Sequence, residues 1–151
     1  MLSMWWIVLA VIVIAFLMFG GKNKKPKQQH TPISAKPILT KRELQFFAVL
    51  EQALPRAYIF PQVSFSAILT TKGFYTRSQF NRKIADFVVC DERMNIVAVI
   101  ELDDSSHKGR EQQDAVRDAM LNEAGYPVLR YAQIPQASQI SKDMRQWLKL
   151  T

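Results

Sequence analysis

Two apolar runs near the middle of the chain carry carboxylates where a buried strand would normally have none. The stretch IADFVVCDERMNIVAVIELDDSSH, residues 84–107, predicts two strands, about 82–90 and 96–103, joined by the turn DERMN. Asp86 lies inside the first run, and Glu101, Asp103 and Asp104 lie at the end of the second. Because strand side chains alternate between faces, Glu101 and Asp103 share one, and Asp86 joins them if residue 86 pairs with 99 or 101.

Three carboxylates at one end of a sheet predict a divalent cation. Like charges at close range raise at least one pKa, and a hard cation such as Mg²⁺ or Mn²⁺ relieves that conflict through carboxylate oxygens. Such an ion also activates water and stabilises charge on a phosphodiester. We therefore predict that Asp86, Glu101 and Asp103 meet around such an ion. The alternative, a strand end running into a solvated loop, accounts for Asp103 and Asp104 but poorly for Asp86, which has apolar neighbours on both sides.

Basic residues flank this acidic end. Arg82 and Lys83 precede the Asp86 strand, and Arg130 ends a later one; each is a candidate phosphate contact or a solvated base. A stripe on one helix face is formed by residues spaced i, i+3, i+4 and i+7: Asp114, Arg117, Asp118 and Leu121. It is either an ion pair on a solvated face or a flank of the acidic end, with Arg117 held for a phosphate or for Glu101.

The surrounding elements predict an α/β domain with the order αβββαβα. TKRE at 40–43 has capping-box spacing and starts a helix that Pro55 ends. Residues 57–69 predict a strand broken at Pro61, followed by a loop around Gly73. After the hairpin come a helix ended by Gly125, a strand over 127–132, and a last helix capped by Ser138.

Composition limits the function classes. The single cysteine, Cys90, excludes an intramolecular disulfide and a cysteine-rich zinc site, and the chain has no glycine-rich phosphate loop and no internal repeat. The net charge of +7 is uneven: 15 of the 20 basic and all 13 acidic residues lie after residue 37, so that part carries only +2. The lysines before it, Lys22–Lys27, are expected to meet anionic lipid, with nucleic acid as the second choice.

The first residues predict a membrane anchor. Residues 2–21 contain no charged side chain and, as a helix, are about 30 Å long, which matches a bilayer core. A cleavable signal peptide is the alternative, but no basic residue precedes the run and no clear A-x-A site follows it. The lysines that follow predict a single-pass membrane protein, with a basic linker over 22–37 and a cytoplasmic domain over 38–151.

Two longer stretches carry a family resemblance. RKIADFVVCDERMNIVAVIELDDSSH followed by RDAMLNEAGYPVLR resembles the restriction-endonuclease-like superfamily of PD-(D/E)xK nucleases over roughly residues 38–135. More closely, it resembles an uncharacterised bacterial family, a domain of unknown function, that is similar to very-short-patch-repair-type nucleases. The resemblance implies an αβββαβ core with a mixed central sheet and the site at the central hairpin.

The resemblance also implies roles for individual residues. Asp86 matches the first metal-binding aspartate and Glu101 the acid of the second half-motif, whereas Asp103 stands where most members carry the catalytic lysine. Related repair-type nucleases also lack that lysine. His107 matches a site histidine that would act as a general acid or base. Glu43 matches an acid on the first helix, and Asp114 is a further supporting residue.

Two functions follow from these observations. The first is a membrane-anchored, metal-dependent nuclease-like domain that hydrolyses phosphodiester bonds in DNA or RNA. The second is a non-catalytic, membrane-anchored binding or scaffolding module on the same fold. The retained acids and His107 favour the first, and the missing lysine and the near-neutral domain charge favour the second.

Overall fold

The structure, a computed structural model, describes residues 4–19, 31–103 and 111–148. Its contacts divide the chain into two compact units, Met1–Ala35 and Lys36–Thr151. The first contains helix α1, Met4–Phe19, whose 16 residues include no charged side chain. Among the described residues, no helix combines the length and the apolar character that crossing a membrane requires.

The second unit opens with helix α2, Lys41–Ala53, and here the predicted capping box is confirmed. The Thr40 hydroxyl accepts from the Glu43 N–H at 3.2 Å, and Glu43 Oε2 accepts from the Thr40 N–H at 2.7 Å. These bonds satisfy backbone donors that the first helical turn leaves without partners. They also fix Glu43 at the start of the helix, at the point where it approaches the sheet.

The sheet confirms an α/β fold with a mixed four-stranded sheet. Its strands are β1 (Tyr58–Ser64), β2 (Ile84–Cys90), β3 (Ile96–Leu102) and β4 (Val128–Tyr131), in the spatial order β1-β2-β3-β4. The pairs β1–β2 and β2–β3 are antiparallel, and β3–β4 is parallel. The parallel pair is reached through helix α5, Glu111–Glu123, which ends before Gly125 at a φ of +84°.

Two predictions about the segment between β1 and β2 were wrong. The strand predicted to 69 ends at Ser64, and two short helices follow, α3 (Phe65–Ile68) and α4 (Phe74–Phe80), where a loop around Gly73 was expected. The Ser64 hydroxyl caps α3 by accepting from the Ser66 N–H. Phe65 and Phe80 are both buried, so helical turns place one aromatic ring from each helix in the core.

The last helix, α6, spans Ala137–Met144, and the prediction that Ser138 caps it was also wrong. Gln136 is the N-cap residue and contributes no side-chain capping bond. Burial of Ile140 and Met144 therefore determines where this helix lies.

The core is built on both faces of the sheet. One cluster includes Phe46, Phe87, Ile100, Ile140 and Met144, and the Phe46 ring meets Phe87 edge-on at 5.6 Å. The other includes Phe65, Val88, Val99 and Leu121. Because alternate residues of β2 and β3 are committed to these two clusters, the face taken by each carboxylate is fixed as well.

Candidate functional site

The hairpin register sets Asp86 beside Glu101. Phe87 pairs with Ile100 and Val88 with Val99. Continued by one residue, this register places Asp86 opposite Glu101, so both carboxylates take the same face. Asp86 Oδ2 also accepts the Leu102 N–H at 2.9 Å, so a side chain replaces a backbone ladder bond at this point. This register agrees with one of the two predicted pairings, that of residue 86 with residue 101.

Glu101 is buried against an arginine. Only 3% of its surface is exposed, and both carboxylate oxygens accept from Arg117 Nη2, at 3.0 and 3.1 Å. The same Nη2 donates to the Ile84 carbonyl at 2.9 Å, and the guanidinium lies 5.6 Å from the centre of the Phe65 ring. Burial raises the pKa of Glu101 to about 7, and the carboxylate of Asp86 adds to the rise, although Arg117 opposes it.

Asp86 is half-buried, and its pKa is also raised, first by burial and further by the carboxylates of Glu43 and Asp103. The Leu102 N–H and Arg117 act in the opposite direction. Two neighbouring carboxyls whose ionised forms are disfavoured gain stability from an added proton or an added cation.

A cavity of about 440 Å³ opens over these residues. Its walls come from the start of α2, the first half of β2, the end of β3 and the middle of α5. The lining residues are Thr40, Arg42, Glu43, Asp86, Glu101, Leu102, Asp103 and Arg117. The topology thus brings four predicted carboxylates, those of residues 43, 86, 101 and 103, to the wall of one cavity.

Glu43 links the helix cap to this cavity. Its Oε2 completes the capping box, and its Oε1 accepts from Gln62 Nε2 at 3.2 Å. Gln62 has a φ of +55°, a left-handed conformation that is costly for a residue with a side chain. It lies between the pairs Pro61–Phe87 and Val63–Ala85, at the level of Asp86. Backbone strain therefore coincides with the acidic end of the sheet.

Asp103 is held by a second arginine. Arg130 lies beside Glu101 in the parallel pairing and donates from Nη1 to Asp103 Oδ1 at 2.7 Å. It also donates to both oxygens of Asp118, and these carboxylates raise the pKa of its guanidinium. Arg130, predicted as a substrate contact, is therefore committed to carboxylates in this structure.

The stripe on α5 faces the sheet. Asp114 Oδ1 lies 3.9 Å from Arg117 Nη1 and 3.8 Å from Arg130 Nη2, and Leu121 is fully buried. Of the two predicted alternatives, the flank of the acidic end is the one observed, with Arg117 held by Glu101. The result is a half-buried network of alternating charge between α5, β3 and β4.

Other predicted residues lie elsewhere. Arg82 is exposed, Lys83 is half-buried, and neither lines the cavity. His107, Asp104 and Lys22–Lys27 lie outside the described residues. Within 4–19, 31–103 and 111–148, no three His, Cys, Asp or Glu side chains are grouped as a metal site.

Two residues that shape the surroundings of the cavity were not predicted from the sequence. Arg42 donates to the carbonyls of Asp103 and Ala132 at 2.8 and 2.7 Å, so it ties α2 to the ends of β3 and β4. Nothing in TKRE distinguishes it from an ordinary first-turn base. Gln62 follows Pro61, and the break in alternation at that proline was the available sign that β1 changes direction there.

Fold and site together define an α/β protein with an acidic cavity at one end of a mixed sheet. The chain belongs to the family described as "Protein of unknown function (DUF2726)", which matches residues 35–147. No curated protein and no solved structure matches it.

Proposed function

We propose that this protein is a membrane-anchored, metal-dependent nuclease-like enzyme that hydrolyses phosphodiester bonds in nucleic acid, on a restriction-endonuclease-like αβββαβ core. The observation that carries the proposal is the placement of Asp86 and Glu101 side by side on adjacent strands at one cavity. Burial raises the pKa of both carboxyls, so their ionised forms cost free energy in the absence of a cation.

The donor set fits Mg²⁺ or Mn²⁺. Mg²⁺ usually takes one or two protein carboxylates and completes its coordination with water and substrate phosphates. Asp86 and Glu101 would hold the ion, and Glu43 lines the same cavity. When bound, such an ion activates water and offsets charge on the phosphodiester.

The arginines would supply the positive charge that Asp103 does not. Arg117 Nη2 now donates to both carboxylate oxygens of Glu101 and to the Ile84 carbonyl. A cation on Glu101 would compete with Arg117 and leave its guanidinium to a substrate phosphate, which a planar fork of donors suits. Arg130 would remain paired with Asp103 and balance the negative charge of that carboxylate. His107 is proposed to transfer the proton as a general acid or base.

The membrane anchor is part of the proposal. It rests on the uncharged run over 2–21 and on the exposed apolar side chains of α1, including Trp5 and Trp6. Lys22–Lys27 would meet anionic lipid, and the domain over 38–151 would face the cytoplasm of the bacterial inner membrane. Reporter fusions at the C-terminus test this: a fusion active only in the periplasm contradicts the proposed topology.

A non-catalytic module on the same fold is the second candidate. It is favoured by the ion pairs Arg117–Glu101 and Arg130–Asp103, which give these carboxylates a structural role without any metal. On this reading the cavity belongs to a binding or scaffolding protein.

Nuclease assays on the full-length protein in detergent separate the two. Single- and double-stranded DNA and RNA are incubated with Mg²⁺, Mn²⁺ or EDTA. Asp86→Asn should lower metal-dependent cleavage by about 100-fold or more, since it removes a ligand of the proposed ion. Asp91→Asn, at the hairpin turn, is the matched control and should cleave normally. A wild-type protein that binds metal without cleaving any substrate supports the non-catalytic module.

A further inference from the structure

The segment between β1 and β2, together with the residues that flank it, carries positive charge only. Residues 52–85 contain five lysines and arginines and no acidic residue, whereas the rest of 38–151 holds ten basic and 13 acidic residues. The small net charge of the domain therefore hides a separation of charge along the chain, with a net positive charge over 52–85 and a net negative charge over the rest of 38–151. Lys72, Arg77 and Arg82 are exposed, and with the described residues their side chains form no hydrogen bond or ion pair. Their charge is thus available to an external polyanion.

Two aromatic rings stand among these bases. Phe74 and Tyr75, in the first turn of α4, are 88% and 77% exposed. Exposing two adjacent aromatic side chains is costly because each large ring forgoes apolar burial. The far end of α4 carries Phe80, whose burial anchors the helix that presents the two exposed rings.

We propose that this aromatic–basic surface, formed by Lys72, Phe74, Tyr75, Arg77 and Arg82, binds single-stranded nucleic acid; as the route to the acidic cavity, this deepens the proposed function and rests on it. Proteins that hold single strands combine bases for the phosphates with aromatic rings on which nucleobases stack. Paired bases of a duplex do not offer their faces for such stacking.

The chain connects this surface directly to the acidic cavity. The Lys83 carbonyl accepts the Phe65 N–H at 2.9 Å, and β2 begins at the next residue, Ile84. Arg117, which holds Glu101, packs over Phe65 and donates to the Ile84 carbonyl. A strand held on α4 would therefore be positioned by the same segment that packs against the arginine of the cavity.

An anionic membrane is the competing partner, and the side-chain pattern of α4 argues against it. A helix that lies in a bilayer surface presents an apolar stripe at spacings of three and four residues. Counting from Phe74 and Tyr75, those positions hold Arg77, Ser78 and Gln79. Two neighbouring rings bordered by polar and basic side chains suit stacking better than insertion.

Fluorescence anisotropy tests the proposal on the full-length protein in phosphatidylcholine nanodiscs, with fluorescein-labelled oligo-dT and oligo-U 20-mers. EDTA is present throughout, so the result does not depend on metal or cleavage. The double variant Phe74→Ala/Tyr75→Ala should weaken Kd by about tenfold or more, as expected for lost base stacking. Tyr58→Ala, which removes a half-exposed aromatic ring from β1, should change Kd less than about twofold.

The charge contribution is measured separately. Lys72→Gln/Arg77→Gln should reduce the salt slope of log K by about 1.4, since each phosphate contact to a single strand contributes about 0.7. Lys142→Gln/Arg145→Gln, two exposed bases at α6, should leave the slope unchanged. Wild-type protein that binds neither oligonucleotide, or an aromatic variant that binds as wild type does, overturns the proposal.

A separate experiment tests whether the surface binds lipid instead. Ser78→Cys carries a polarity-sensitive dye on the exposed side of α4, and the only natural cysteine, Cys90, is buried. The dye should respond to the oligonucleotides. A blue shift on nanodiscs containing phosphatidylglycerol, with no response to oligonucleotide, would assign the surface to lipid and overturn the proposal. Binding of the oligonucleotides without any hydrolysis would support the proposed binding surface and contradict only the proposed nuclease activity.

Discussion

The β2–β3 hairpin carries carboxylates at both of its ends, and they differ in what they do. At the turn, Asp91 is partly exposed and accepts from the N–H groups of Arg93 and Asn95 at 2.9 and 2.8 Å and from the Asn95 amide at 3.0 Å. These hydrogen bonds, led by that of the Asn95 side chain, lower the pKa of Asp91. At the open end, burial raises the pKa of Asp86 and Glu101.

The comparison distinguishes a carboxylate that stabilises the fold, Asp91, from two whose ionised forms cost free energy, Asp86 and Glu101. Asp91 folds the turn and gains from being ionised, as an aspartate in a turn normally does. Asp86 and Glu101 lose solvation and gain only partial compensation from one N–H and one arginine. Carboxylates that a fold keeps at a cost are candidates for chemistry, since perturbed pKa values cluster at functional sites.

The largest expected effect is on the arginine at the open end. Arg117→Met leaves Glu101 buried without its cation, so at pH 8.5 the free energy of unfolding should fall by about 3–5 kcal/mol. At pH 5 the fall should be smaller, because Glu101 then carries a proton. Urea denaturation at both pH values measures this. Arg93→Met at the exposed turn is the control and should stay within about 0.5 kcal/mol. Equal losses at both pH values would instead assign Arg117 to packing on Phe65.

The second expected effect is a pH dependence of stability. Folding raises the pKa of Glu101 from its ordinary 4.5 to about 7, so between these values the folded state binds more protons than the unfolded one. The free energy of unfolding should therefore fall as pH rises through this window, by about 3 kcal/mol in total.

Thermal melts between pH 4 and 8 measure this slope. Glu101→Gln should flatten it, whereas Asp91→Asn should leave it unchanged, because the pKa of Asp91 is lowered and its contribution is lost only at more acidic pH. A wild-type profile that rises from pH 4.5 to 7 would contradict the assignment.

The third effect is stabilisation by metal. Mg²⁺ or Mn²⁺ that binds only the folded state adds about 2.7 kcal/mol at a hundredfold excess over Kd. Asp86→Asn should remove most of this gain and stabilise the metal-free protein, because one of two repelling carboxylates is gone. Asp91→Asn should keep the full gain. Equal melting temperatures of the wild-type protein in Mg²⁺, Mn²⁺ and EDTA would leave no basis for the metal site.

The smallest expected effect concerns backbone strain at the turn of the hairpin and beside the cavity. Each has one non-glycine residue at positive φ: Met94 at +65° in the turn and Gln62 at +55° beside the cavity. Met94→Gly should raise the free energy of unfolding by about 0.5 kcal/mol, because relief of strain exceeds the entropy cost. Gln62→Gly also loses the hydrogen bond to Glu43 and should gain nothing. Equal gains in thermal melts would show that the Gln62–Glu43 contact contributes no stability.

Most of the helices and strands around the open end of the hairpin, where Asp86 and Glu101 lie, could be predicted from the sequence. Alternation located β2 and β3 and, with the turn between them, left few registers, one of which is observed. The capping box located the start of α2, because its bonds are local and need only the right residues three apart. The spacing of Asp114, Arg117 and Leu121 grouped them on one face of α5 but left open whether that face was solvated or met the sheet.

The unpredicted features depend on contacts between distant parts of the chain. Arg130 meets Asp103 only because β4 inserts parallel to β3, which no local pattern specifies. Arg42 reaches carbonyls 61 and 90 positions away. Helices α3 and α4 are too short to show a helical period, and burial of one phenylalanine in each overrides the loop-like composition around Gly73.

The course of β1 has a consequence for colloidal behaviour. This strand is at one margin of the sheet, where unpaired N–H and C=O groups invite another chain to add on. Pro61 has no N–H to offer, and the left-handed turn at Gln62 bends the backbone out of line one residue later. Strand addition along the whole of β1 is therefore interrupted at its middle. We therefore expect the kink that brings Gln62 to Glu43 also to hinder sheet-to-sheet aggregation through β1.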